Sequence, residues 1–476
     1  MCCVTAIGQS VAATFFRVRR LRYSLDPADG AAGIFSTGGL YSNGRYFAAA
    51  RRPGVQRDSE VSTLLSVDVR TRSHRDGTPL EPGAFLDEQV GPLLEAHGVS
   101  AGRAARRLGL APLTFDIEGE RMTWLPGEDA VEVRAGSGGT LIVGLDRAAF
   151  SDLIQDSAST FGLYKTGRAV VRQGGIDAFV AWEPVLRCLL DGRAVYEPGS
   201  IGFTSRDGSA LDLRRSFTLA DDPAEIGHFL AQAGFLHIAG LFTAAEMAAV
   251  SAEFDAALAT AERGDGASWW ARTEPGGWYP ARILGFDRQS PALRELLRGN
   301  RFARLATFTD DRYRHRDPDA GDTAEGLLKK IGVVEGASDV SWHKDCTMGG
   351  HSYNCCGLVV GISVTGAGPE SGELGVVAGS HRANVSTVGL DGLDLPRLPL
   401  PTRIGDVTVH CSCTLHMSRP PISGERRVVY TGFSLAPRAD DIPVEIGREE
   451  IRRRRAALND MVGAGQSGSR LSDHEL

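Results

Sequence analysis

The sequence predicts an α+β module in its first half and a second, separately opened domain that holds its chemistry-bearing motifs. Three observations predict this division. At 476 residues the chain exceeds the ~250–300 residues that one hydrophobic core usually organises. Short alternating runs interleave with amphipathic stretches between positions 68 and 197, the order of an α+β unit. A largely polar stretch from Thr204 to Asp222 then precedes a fresh apolar pattern.

Residues 1–65 carry scattered Gly and Arg with weak periodicity and form an unassigned leader. Its Arg17, Arg19 and Arg20 follow the apolar run that ends at Phe16, the reverse of the order in a secretory signal. In the module at 66–203, Pro79 to His97 reads as a loop entering a helix. Met122–Leu125, Ala130–Arg134, Thr140–Leu145 and Gly167–Gln173 read as strands between turns. Asp146 can cap a helix running through Ile154. Ile176 to Leu190 reads as an amphipathic helix in which Pro184 must start or kink a turn. The second domain spans 223–440, and its first long helix opens with a capping box made by Thr243 and Glu246. Residues 441–476 read as a charged helix over Val444–Met461 followed by a disordered Gly/Ser tail.

A net charge of −7 offers no electrostatic attraction for nucleic acid or an anionic membrane. No apolar run reaches the ~18 residues of a membrane span. The eight cysteines include two adjacent pairs and no CxxC spacing. Reduced thiols in a cytoplasm fit that usage better than a disulfide framework or a structural zinc site. Nothing in the composition sets an oligomeric state.

Three segments carry the chemistry: SWHKDCTMGG at 341–350, SGELGVVAGSHR at 371–382, and GDVTVHCSCTLHMSRPPISGERRVVYTGFSL at 405–435. In an extended chain His343 and Asp345 project to one side. An imidazole and a carboxylate so placed, joined by a distant histidine, form the facial triad of non-haem Fe(II) oxygenases. His416 follows the strand beginning at Val407 and is read as that histidine. His410, His351 and His381 are its rivals. Alternation along 426–435 separates Arg426, Val428 and Tyr430 from the more apolar set Arg427, Val429, Thr431 and Phe433. Taking the apolar set as the interior puts Arg427 inside, where a guanidinium fork suits the distal carboxylate of a dicarboxylic co-substrate. Ser418, two residues after His416, can add a hydroxyl to the same carboxylate. Lys329 and Lys330 precede the metal-bearing strand and could reach the co-substrate, with surface lysines as the default reading.

These residues closely resemble the phytanoyl-CoA dioxygenase family. Trp342, His343 and Asp345 match its WHxD block, Gly372 to Arg382 its Gly-rich turn, and Gly405, Asp406, His416, Ser418, Pro420 and Arg427 its last block. The resemblance covers about 225–437; Ala378, where the family usually has Pro, and Lys344, where it commonly has Gln, depart from it. It implies a mainly-β double-stranded β-helix (a cupin-like jelly roll) with flanking helices, Fe(II), and 2-oxoglutarate as co-substrate with O2. Residues 120–197 also resemble sterol-carrier-protein-like domains, diffusely, in VGLDRAAFSDLI and TGRAVVRQGGIDAFVAWEPVLRCLLDGRAVYEPG. That resemblance implies an apolar cavity between a curved sheet and its helices. The expected function is Fe(II)/2-oxoglutarate-dependent hydroxylation of a C–H bond in a small, largely apolar substrate: a lipid, an acyl thioester or a secondary metabolite. The alternative is a non-catalytic lipid carrier with a degenerate jelly roll.

Overall fold

The computed structural model describes residues 69–71, 76–274, 276–316, 322–336, 338, 340–348 and 357–436. The leader, the helix expected over Val444–Met461 and His351 lie outside these residues.

The first half holds one five-stranded sheet: β1 Leu113–Ile117, β2 Glu120–Pro126, β3 Val131–Ala135, β4 Leu141–Leu145 and β5 Ala169–Gln173. Its strand order is β3–β2–β1–β4–β5, with β1 and β4 parallel. The central strand β1 is missing from the sequence reading. Its residues alternate apolar and polar, LTFDI, but all five are buried, Thr114 and Asp116 included. Asp116 is tolerated there because Arg172 and Arg121 reach its carboxylate at 2.6 and 3.1 Å. Asp146 caps the helix Arg147–Ile154 by accepting from the Ala149 amide at 2.6 Å. The cavity implied by the sterol-carrier resemblance would lie between this sheet and its helices. Phe115 occupies that layer, edge-on to Trp124, Phe150 and Phe179 with ring centroids 6.1–6.5 Å apart.

The second half is a β-sandwich with a jelly-roll arrangement. Its strands are β6 Phe235–Ile238, β7 Ser268–Thr273, β8 Gly277–Leu284, β9 Arg314–His315, β10 Glu325–Lys329, β11 Val333–Gly336 and β12 Val340–His343. Then come β13 Gly357–Ser363, β14 Leu374–Val377, β15 Arg397–Leu400, β16 Val407–Cys411, β17 His416–Ser418 and β18 Arg426–Ser434. A nine-stranded sheet runs β11–β7–β8–β10–β18–β13–β16–β6, with β9 also on β18. A four-stranded sheet runs β12–β17–β14–β15. The larger sheet turns its apolar face outward to the helices: Val429 and Phe433 of β18 share a core with Phe229, Met247, Phe254 and Phe302. The capping box of the helix Ala244–Thr260 is present in both directions. The Gly405–Asp406 turn also has a local cause. Gly405 is left-handed (φ 84°), and a Cβ there would meet the Phe242 carbonyl oxygen. Asp406 accepts from the amides of Gly240 and Arg403.

Pro184 links the halves. It lies inside the helix Ile176–Asp191 and has no N–H to give the Val180 carbonyl. Ser386 of the second half donates its hydroxyl to that carbonyl at 3.3 Å, and Asn384 Nδ2 donates to the carbonyls of Pro184 and Arg193 at 2.9 and 3.0 Å. Among the described residues no helix is long and apolar enough to cross a membrane.

Candidate functional site

His343 ends β12 and His416 begins β17, and the antiparallel register sets them directly opposite each other. Their ring centroids are 4.1 Å apart. Asp345 lies just past the strand end. Its Oδ1 is 3.6 Å from His343 Nε2 and its Oδ2 is 3.7 Å from His416 Nε2. One candidate ligand atom from each residue lies within 4.8 Å of the other two. The far side of each imidazole is already committed: His343 Nδ1 is 2.8 Å from the Ser341 carbonyl and His416 Nδ1 is 2.9 Å from the Thr414 carbonyl. A carbonyl only accepts, so Nδ1 carries the proton and Nε2 turns its lone pair toward Asp345.

Burial alone would raise the Asp345 carboxyl, but His416, His343 and His410 around it hold it well below the usual carboxylate range. Burial, with repulsion from His343 and His410, pushes His416 well below the ordinary histidine value. One carboxylate and two imidazole Nε2 atoms brought this close form a donor set that a divalent metal can take.

The loop bearing Asp345 is clamped from two directions. Lys344 is buried and donates to the Ser380 and Ala383 carbonyls, both at 3.2 Å; burial lowers its ammonium to about 8. From the first half, Ser159 Oγ donates to the Thr347 carbonyl at 2.5 Å.

The expectation for Arg427 is corrected. Its guanidinium points out of the sandwich to the helix Ala244–Thr260, pairing with Asp255 at 2.7 Å and donating to Ser251 Oγ at 2.9 Å. Arg426 faces inward, 3% exposed, and donates to the Gly372 carbonyl at 2.7 Å, to Tyr430 Oη at 3.3 Å and toward Ser418 Oγ at 3.4 Å. The apolar alternation of β18 is real, but apolarity marks the face covered by helices, whereas the inner face carries Arg426 and Tyr430 beside Val428. Lys329 is corrected as well. It is fully buried, lies opposite Arg426 in the β10–β18 register, and donates to Ser418 Oγ at 2.9 Å. No local signal announces either residue; both follow from which strands β10 and β18 adjoin.

Among the rivals, His381 is buried beneath the helix Pro223–Ala233 with Nε2 3.1 Å from the Ala231 carbonyl, and burial lowers it to about 3. His410 does face Asp345, at 3.6 Å. Cys411 and Cys188 are buried free thiols, and the buried Cys346 has its Sγ 3.3 Å from Cys413 Sγ, whereas Cys413 is disulfide-bonded, against the expectation of reduced thiols throughout.

Among solved structures, the chain is similar to AviO1 from Streptomyces viridochromogenes, at 21% identity over 47% of this chain and 98% of that one, with a TM-score of 0.36. It is also similar to the non-heme alpha ketoglutarate dependent epimerase SnoN from nogalamycin biosynthesis, at 21% identity over 48% and 90%, TM-score 0.36. A third similarity is to EctD from S. alaskensis with bound Fe, at 21% identity over 49% and 83%, TM-score 0.36. No curated protein matches. The family model that does match is that of phytanoyl-CoA dioxygenase, over residues 230–429, and the cofactors of that family are iron and 2-oxoglutarate.

Proposed function

We propose that the second half is an Fe(II)- and 2-oxoglutarate-dependent oxygenase, with His343, Asp345 and His416 as iron ligands and Arg426, Lys329 and Ser418 as the seat of the distal carboxylate. One observation carries the reading. Arg426 is a buried guanidinium that makes no ion pair among the described residues, and its Nε has no hydrogen-bond partner there. A buried cation in that state calls for an anion. Ser418, beside it, is two strand positions from His416, about 7 Å, a span that a five-carbon dicarboxylate bridges between metal and guanidinium. A jelly-roll isomerase would have no use for such a cation.

The donor set fits Fe(II): two imidazoles and a carboxylate on one side leave the opposite positions open. Bound there, iron and 2-oxoglutarate supply the oxidising power for attack on a C–H bond. The chain's own part is to hold the ligands, to seat the distal carboxylate, and to line the lumen. Leu327 and Val428 are buried register partners on the inner faces of β10 and β18, and the Arg282–Glu325 ion pair lies on the same faces. That lining supports a small substrate with a largely apolar body and a polar group. We further propose hydroxylation as the outcome. The aromatic packing of the first half supports a structural role for it rather than a carrier role.

Anaerobic Fe(II) with 2-oxoglutarate should produce a visible metal-to-ligand band that His343→Ala abolishes. Oxygen should then yield succinate, stimulated by a member of a lipid and metabolite panel. A wild-type protein that shows neither band nor succinate would return the carrier reading to first place.

A further inference from the structure

We propose that His410 is a positioning residue of the metal centre: its Nε2–H donates to the Asp345 carboxylate and sets its angle toward the metal. This rests on the reading of His343, Asp345 and His416 as the iron ligands.

His410 sits on β16, opposite Val359 of β13 and Phe235 of β6, one strand in from the edge of the larger sheet. It is fully buried, and neither ring nitrogen has a hydrogen-bond partner among the described residues. Leaving a buried polar group unsatisfied costs about 1–3 kcal/mol, so an apolar side chain would suit this position better if packing were its only task. The ring is instead aimed at the site. Its Nε2 lies 3.6 Å from Asp345 Oδ2, and its centroid is 4.1 Å from that of His416. A movement of under about 1 Å brings Nε2 and Oδ2 within hydrogen-bond range.

The geometry favours a donor over a fourth ligand. The group of ligand atoms mutually within 4.8 Å comprises His343, Asp345 and His416 and leaves out His410. A fourth protein ligand would also take a position that the co-substrate or oxygen needs. A carboxylate ligand, by contrast, has a second oxygen that must be held if the first is to keep its direction. Outer hydrogen bonds of this kind do that for metal ligands. The imidazoles of His343 and His416 already have their own anchors at the Ser341 and Thr414 carbonyls. His410 would anchor the third ligand.

The test uses the full chain and three variants. His410→Gln places an amide nitrogen near the position of Nε2; His410→Asn places one near Nδ1, out of reach of Asp345; His410→Phe keeps the ring and removes the donor. Fe(II) affinity under anaerobic conditions and the energy of the visible Fe(II)–2-oxoglutarate band are read for each, with melting of the metal-free proteins as the folding control. Asn and Phe are expected to weaken Fe(II) binding by about 10–100-fold and shift the band, with Gln within about threefold of wild type. Should the Phe variant not fold, Gln and Asn carry the same comparison. Variants that all bind like wild type overturn the proposal alone, as does a Gln variant no better than Asn. A wild-type chain that binds no Fe(II) overturns the metal-centre reading and this proposal with it.

Discussion

Lys329 and Arg426 are register partners across β10 and β18, and both direct their cationic ends at the hydroxyl of Ser418 in the facing sheet. Two buried cations thus meet one strand position that also leads, two residues back, to His416. The geometry makes the roles of neighbouring basic residues separable by experiment.

Arg426→Met should weaken 2-oxoglutarate binding by about 10–100-fold, the loss of one charge-assisted hydrogen bond at about 1.5–3 kcal/mol. Arg427→Met should leave that affinity nearly unchanged and cost stability of about 1 kcal/mol or less, because its ion pair with Asp255 is partly exposed. Titration of the visible band with 2-oxoglutarate in both variants checks this. Equal losses would mean that the inner and outer faces of β18 are wrongly assigned.

Lys329→Met removes one of the two cations and the donor to Ser418 Oγ. Co-substrate affinity should fall by about tenfold, the size of one such bond, and the deficit should shrink as salt is raised in the wild-type comparison only slightly, since a buried site is poorly screened. Calorimetric titration with 2-oxoglutarate at two ionic strengths gives both numbers.

Asn384→Ala should destabilise the whole chain by about 1–3 kcal/mol by removing two hydrogen bonds between the halves, to the Pro184 and Arg193 carbonyls, at about 0.5–1.5 kcal/mol each. Thermal unfolding should show a lower midpoint. An unchanged midpoint would mean that this contact does not hold the halves together.

Glu246 is held at about 2, chiefly by hydrogen bonding from Arg301 and then by the Thr243 amide. The folded value lies below the ordinary one of 4.5, so its contribution to stability is complete above that value and is lost as pH falls from there toward about 2. Glu246→Gln keeps an acceptor for the capping box but cannot titrate. Its melting temperature should therefore lie below that of wild type near neutrality and converge on it as pH falls through this window.

Local features were legible in the sequence because their causes lie within a few residues. Thr243 and Glu246 specify a helix start through their own hydrogen bonds, Asp146 does so alone, and Pro184 announces a broken hydrogen bond wherever its helix packs. The spacing of His343 and Asp345 is likewise a property of one short segment. Tertiary structure decided what depends on neighbours distant in the chain. β1 alternates Leu113, Phe115 and Ile117 with Thr114 and Asp116, but its polar face is buried, and what covers Asp116 comes from Arg121 and Arg172 on other strands of the sheet. The side of β18 that lines the lumen cannot be read from apolarity, because one face meets helices and the other the interior of the sandwich. Lys329 and Arg426 converge on one hydroxyl only when β10 and β18 pair and the smaller sheet brings Ser418 across to them. Hydrophobic patterning reports that a face is buried; it does not report what buries it.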